Sequence, residues 1–193
     1  AALFVRCLRQ HRLDRKLTDN SPYWVCAYAN NQWDLESEVC ADPEQSSFRK
    51  AMDKATGTVT ILDKDAVTYT RIWCAYEIYV SLSCAERDVG RKRSGSYKYD
   101  MYTTTSKSEV GITDGIAEID MHNTYMKTSR ETHFPLALAL RVLDFDLKRA
   151  EATLDADRRR ILNSIASRCA EQLDSDPLFE HANYERVNRL LRG

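Results

Sequence analysis

The sequence predicts an α/β fold: a mainly parallel sheet with helices on both faces. Three observations predict it. Helical and strand periodicities alternate along the chain. The β-type run at 58–62 passes through a short loop into an apolar helix at 70–86, a strand–loop–helix unit. The run at 23–29, Tyr-Trp-Val-Cys-Ala-Tyr-Ala, is nearly continuous in apolar character and predicts a strand buried on both faces.

Taken in order, Leu3, Phe4, Cys7, Leu8 and His11 follow helical spacing and predict a helix over 2–17. The turn-forming stretch 18–22 breaks it. After the expected strand 23–29 comes an amide cluster, Asn30, Asn31 and Gln32, and then an acidic loop over 34–44. Ser46 and Ser47 predict the cap of a helix carrying Phe48, Ala51, Met52 and Ala55, with Gly57 as its terminator. Beyond the strand–loop–helix unit, a basic turn occupies 90–95. Tyr97, Tyr99 and Tyr102 belong to an alternating run that predicts a further strand. Residues 104–133, rich in Ser, Thr and Gly, read as an irregular region with one helical turn near 116–120. Pro135 opens an expected helix through 141, and residues 142–147 are expected to form a last strand. Helices at 155–169 and 184–191 close the chain. The expected organisation is one core over 1–103, the irregular region 104–133, and a C-terminal strand and helix part, 134–193, of the same domain.

Composition sets the class. With 193 residues, 43% hydrophobic and 30% charged, the chain is of ordinary size for one globular domain. Its net charge of −1 gives no electrostatic case for nucleic acid as a partner. No apolar run approaches the ~20 residues of a membrane-spanning helix. The six cysteines form no CxxC pair and read as reduced thiols of an intracellular protein, cytoplasmic or organellar. The chain opens at Ala1, inside an apolar pattern and without methionine. Processing or a longer parent protein is expected, with any targeting segment ahead of Ala1.

Recognisable cofactor motifs are absent from the sequence. It contains no GxGxxG, no GxxxxGK[ST] and no GxSxG. None of the four histidines has a metal-ligand partner at i+3 or i+4, so no metal site is expected. What stands out is Arg71-Ile72-Trp73-Cys74-Ala75-Tyr76-Glu77-Ile78, at the start of the apolar helix. Trp73 and Cys74 lie four and three residues before Glu77, so the three crowd one side. An acid at the carboxyl end of a strand sits where open α/β sheets bind ligands. The bland alternatives are an ordinary ion pair of Glu77 with Arg71 or a nearby lysine, a core role for Trp73, and amides that merely hold a loop.

Trp73-Cys74-x-x-Glu77, with Tyr23-Trp24-Val25 and Asn31-Gln32 upstream, resembles the W-C-x-x-E helix start of TIR domains, in a divergent form similar to algal and protist proteins. The resemblance covers about 3–86. It implies a flavodoxin-like sheet whose first, central strand would precede Ala1. It also implies Glu77 as the catalytic residue of an NAD hydrolase, with Tyr76, Asn30, Asn31 and Gln32 as substrate-binding walls. NAD would then be substrate, and no cofactor is called for. TIR-type assembly through protein partners or self-association is the companion expectation. The alternative of a different class is a non-catalytic accessory subunit that keeps only the fold.

Overall fold

The computed structural model describes residues 2–31, 33, 41–87, 97–121 and 123–192, with 84–87 described by backbone alone. Its elements are α1 (Ala2–Asp14), α2 (Cys26–Ala29), α3 (Ser47–Lys54), β1 (Gly57–Leu62), α4 (Ile72–Arg87), β2 (Lys98–Thr104) and β3 (Glu109–Ile112). They continue as α5 (Thr124–Glu131), α6 (Leu136–Leu143), α7 (Asp155–Ile165) and α8 (Ala182–Arg192), joined in places by single 3₁₀ turns. The fold is α/β. Among the described residues the strands form one sheet of order β1-β2-β3.

β1 and β2 run parallel, from Gly57 opposite Lys98 to Leu62 opposite Thr103, and α4 lies on the crossover between them. β2 and β3 are antiparallel, because residues 105–108 turn the chain straight back: Thr105 N–H donates to Ser108 O at 2.8 Å. The sheet is therefore mixed, where a mainly parallel one is expected. Gly57 does not end α3, which closes at Ala55; it opens β1. A Cβ at position 57 would stand 2.7 Å from Lys98 O, so β2 approaches only because the side chain is missing.

Strand alternation assigns the two faces. On one, Tyr97, Tyr99 and Met101 meet Thr58 and Thr60: Thr58 Oγ1 and Tyr97 OH are 2.7 Å apart, and Thr60 Oγ1 donates to Tyr99 OH at 2.9 Å. Ser81 of α4 donates to Thr58 Oγ1 at 2.9 Å, so α4 covers this face. On the other face Asp100 and Tyr102 meet α1. Arg15 forks onto Asp100 through Nε (2.8 Å) and Nη2 (2.5 Å), and His11 Nε2 lies 3.1 Å from Asp100 Oδ2. Tyr102 OH donates to Asp14 Oδ2 at 2.7 Å. Helix α1 is thus docked by Cys7, His11 and Asp14, the first two of them from the expected stripe, while Leu3 at its N-terminal end is 56% exposed.

Helix α4 is apolar almost all round because it has two neighbours. Behind it, Phe134, Leu138, Val142, Phe145, Leu147, Ile161, Leu162, Ile165, Tyr184 and Val187 form one core with Ile72, Ala75, Tyr76, Ile78 and Val80. The sheet lies on one side of α4 and the C-terminal helices on the other.

Three further expectations are corrected. Residues 23–29 are no strand: Val25 caps a single helical turn, Asn30 N–H donates to Cys26 O at 3.1 Å, and Trp24 and Tyr28 are 41% and 78% exposed. Apolar character alone forms no strand without a ladder partner. Residues 142–147 are not a strand either. Helix α6 runs on through Leu143, and a 3₁₀ turn at Leu147–Arg149 follows, with Asp146 accepting from Lys148 N–H. The region 104–133 is not irregular, since it holds β3 and α5. Polar composition hid both: α5 is anchored by ions, with Arg130 bonding Asp120 at 2.9 and 3.1 Å and Thr113 Oγ1 at 2.8 Å. The basic turn 90–95 lies outside the described residues.

Gly111 of β3 carries the first prediction. A Cβ there would fall 2.5 Å from the Tyr102 ring, which is fully buried and tied by its hydroxyl to Asp14. The ring has nowhere to retreat. Gly111→Ala should therefore destabilise the fold by about 1–3 kcal/mol in denaturant melts.

Candidate functional site

The chain reaches α4 through a tightly held connector. Asp63 Oδ1 accepts from Asp65 N–H (3.0 Å) and Val67 N–H (3.1 Å), an Asx turn after β1. Ala66 adopts a left-handed φ of 53°, and a 3₁₀ turn, Val67–Thr70, follows. Residues 70–72 then pair with Glu151 as an isolated parallel bridge: Ile72 N–H donates to Glu151 O at 2.8 Å and Glu151 N–H to Thr70 O at 2.7 Å. The start of α4 is clamped between the sheet and the C-terminal part of the chain.

Trp73 fixes the same end from the side. Its indole Nε1–H donates to Asp157 Oδ2 at 3.1 Å, and its ring stacks on Phe48 with centroids 5.0 Å apart. Trp24 meets Phe48 edge-on at 5.4 Å. Tyr76, fully buried, donates to Glu44 Oε1 at 2.9 Å, and burial with the nearby Glu44 charge pushes its phenol far up. It therefore faces the turn at Pro43–Gln45, with no contact recorded to the Glu77 carboxylate.

Glu77 is different. Its side chain is half-buried, and among the described residues none hydrogen-bonds or ion-pairs with the carboxylate. Burial pushes it from 4.5 up to about 7, against the pull of the Arg71 charge. Arg71 itself is exposed, and no ion pair between the two forms. The charge on Glu77 reaches the Cys26 and Cys74 thiols and the Tyr99 phenol. All four groups are held toward their neutral forms, above all by burial; Cys74 lies at about 12, so it is inert as a nucleophile at neutral pH.

The amides are placed unevenly. Asn30 is buried at the end of α2, where its N–H closes the turn. Asn31 is exposed, and its Oδ1 accepts from Trp33 N–H at 3.1 Å, a loop-holding role. Gln32 lies outside the described residues. Of the residues named from sequence, Glu77 is the one whose half-buried charge has no partner among the described residues. Among the described residues no group of three or more His, Cys, Asp or Glu is arranged to hold a metal.

A cleft of about 440 Å³ opens on another side of α4, lined by Tyr79 and Ser83 of that helix and by Arg168, Ser164 and Ser167 at the end of α7. Tyr79 is two residues beyond Glu77, roughly 200° round the helix, so the cleft and the carboxylate lie on different faces. Sequence reasoning missed this cleft. Its residues are scattered over four segments and carry no spacing that links them.

Fold and site together define an α/β domain built round one central helix with an isolated glutamate near its start. No family model, curated protein or solved structure matches the chain. Among the described residues no helix is long and apolar enough to cross a membrane.

Proposed function

We propose that this chain is a TIR-like domain on a flavodoxin-like plan, and that Glu77 cleaves the N-glycosidic bond of NAD. The observation that supports this reading best is the state of Glu77: a half-buried carboxylate near the start of the central helix, without a partner among the described residues and poised near neutrality. Structural acids in such positions are normally paired, and among the described residues this one is not.

In the reaction the bond between nicotinamide nitrogen and the ribose anomeric carbon breaks, and its electron pair stays on nicotinamide. That base starts cationic and leaves neutral, so no strong general acid is required. The ribose passes through an oxocarbenium-like state, which the ionised Glu77 stabilises electrostatically. Water then adds to the anomeric carbon and releases a proton. Only the carboxylate form serves, so activity should rise as the pH climbs through about 7.

The test is nicotinamide release from NAD by the full chain, with Glu77→Ala beside it. Loss of one charge-stabilising group should slow release by about 10²–10³-fold. Equal rates in the two proteins would sink the hydrolase reading. The accessory or assembly reading then takes its place, and it draws on a separate feature. Helix α6 presents Leu136, Leu140 and Leu143 to solvent at 72%, 55% and 45% exposure, an i, i+4, i+7 stripe of the kind that meets another protein surface. Light scattering of the full chain, with Leu140→Glu as control, decides whether that stripe drives self-association.

A further inference from the structure

We infer that the cleft beside Tyr79 and Ser83 is a binding site for a phosphorylated sugar, separate from Glu77. Its volume of about 440 Å³ lies within the size range of small-molecule sites. Its walls are preformed. Asn163, fully buried in α7, donates to Leu173 O at 2.9 Å and Ser175 O at 2.7 Å, and its own carbonyl accepts from Arg168 N–H at 3.0 Å. Asn183 Nδ2 donates to Ile165 O at 2.6 Å, and Arg160 pairs with Asp174 at 2.7 Å. These bonds hold the 166–175 loop, which carries Arg168 and the buried Leu173 into the cleft.

The charges inside are incompletely answered. Arg168 is half-buried, yet its guanidinium makes one long bond, Nη1–H to Asp176 O at 3.3 Å, and no ion pair among the described residues. A guanidinium in that position is a fork for an anion. The hydroxyls of Ser83 and Ser164 have no hydrogen-bond partner among the described residues, and Arg186 adds a second positive charge to the lining. Arginine with serine hydroxyls is a donor set that suits phosphate oxygens.

The same lining includes the opposite chemistry. Asp42 uses Oδ1 to accept from Glu44 N–H at 3.0 Å and makes no ion pair among the described residues, which leaves acceptor capacity. Glu44 stands beside it, held by Tyr76 and by Arg49 at 3.2 Å. Carboxylate acceptors suit the hydroxyls of a sugar. A ligand carrying a phosphate at one end and hydroxyls at the other satisfies both groups; inorganic phosphate leaves the carboxylates unused, and a free sugar leaves Arg168 unanswered.

Calorimetric titration of the full chain with ribose 5-phosphate, ribose and inorganic phosphate tests this. Ribose 5-phosphate should bind most tightly of the three. Arg168→Gln, folded by circular dichroism, should raise its Kd at least about tenfold. Asp42→Asn should weaken ribose 5-phosphate while leaving inorganic phosphate unchanged. Should Arg168→Gln fail to fold, Arg168→Lys, which keeps the charge and loses the fork, is scored by the same criterion. No saturable binding of ribose 5-phosphate at about 10 mM, equal binding by wild type and the arginine variant, or ribose or inorganic phosphate binding as tightly as the phosphate ester would each overturn the assignment.

Discussion

Arg15→Ala should cost the fold about 3–5 kcal/mol, a large fraction of a domain's total stability. Arg15 and Asp100 form a buried, two-bond ion pair between α1 and the central strand. Arg15 also donates to Asp114 O at 2.7 Å and Ile116 O at 3.2 Å, so the same guanidinium holds the chain leaving β3. Removing it leaves Asp100 buried with its charge, with the His11 bond and the Asp114 N–H still opposing desolvation. Burial by itself raises Asp100. The bonds from His11 and Arg15, the Arg15 charge and the Asp114 N–H outweigh it and hold the carboxyl at about 2, down from 3.8.

The sign follows from that direction. A carboxylate lowered by folding stabilises the native state above its unfolded value and loses this as the pH falls through the folded one. Asp100 therefore contributes roughly 2 kcal/mol above pH 4, and the contribution drains away between about pH 4 and pH 2. Urea melts of wild type across that window should show the decline; in Arg15→Ala it should shrink. A variant as stable as wild type at pH 7 would show that α1 is held by something else.

Glu77→Gln should do the reverse, stabilising the fold at pH 8 by roughly 2–3 kcal/mol. Glu77 is raised from 4.5 to about 7 by burial, opposed by Arg71. A group raised by folding favours the native state while it stays protonated. That advantage is complete below about 4.5 and is lost as the pH climbs through about 7. Wild type should therefore lose stability between about pH 5 and pH 8, and Glu77→Gln, which cannot ionise, should not. Thermal melts of both proteins at pH 5 and pH 8 measure it: equal at the lower pH, the variant higher at the upper. Equal melting temperatures at pH 8 would show that the carboxylate is well solvated, and the case for its special state would go with it. A residue that makes the protein less stable at working pH while serving no chemistry would be readily replaced, so stability and activity should move in opposite directions here.

Several elements were legible because local pattern and tertiary environment agree. The strand over 58–62, the helix that follows it, α7 and α8 all emerge from spacing alone, within a few residues of their observed ends. The tyrosines of β2 read correctly as sheet packing: Tyr97 and Tyr99 point to the α4 face and Tyr102 to the α1 face. Trp73 is an anchor in the core, as its size and position suggest.

What misled was apolar content without its partner. Residues 23–29 look like a strand, but β-structure requires a neighbouring backbone, and here Tyr23 is bonded to His11 while Trp24 leans on Phe48. At 142–147 the same kind of run continues a helix, with Leu138, Val142 and Phe145 buried together. Polar content misled in the opposite direction. Region 104–133 folds because Arg130, Asp120, Thr113 and Glu131 pair with one another across long separations, and such pairs leave no periodic trace.

The sequence by itself determined the unit at the heart of this protein: a strand, a loop and an apolar helix bearing one acid near its start. Periodicity reports which side of an element is apolar, and that is enough to place Glu77 on α4. Only the tertiary structure decided what Glu77 experiences. Its raised carboxyl, the clamp at Glu151 and the separate arginine-lined cleft all depend on residues far apart in the chain. Charge and desolvation act through space, and spacing along a chain does not record them.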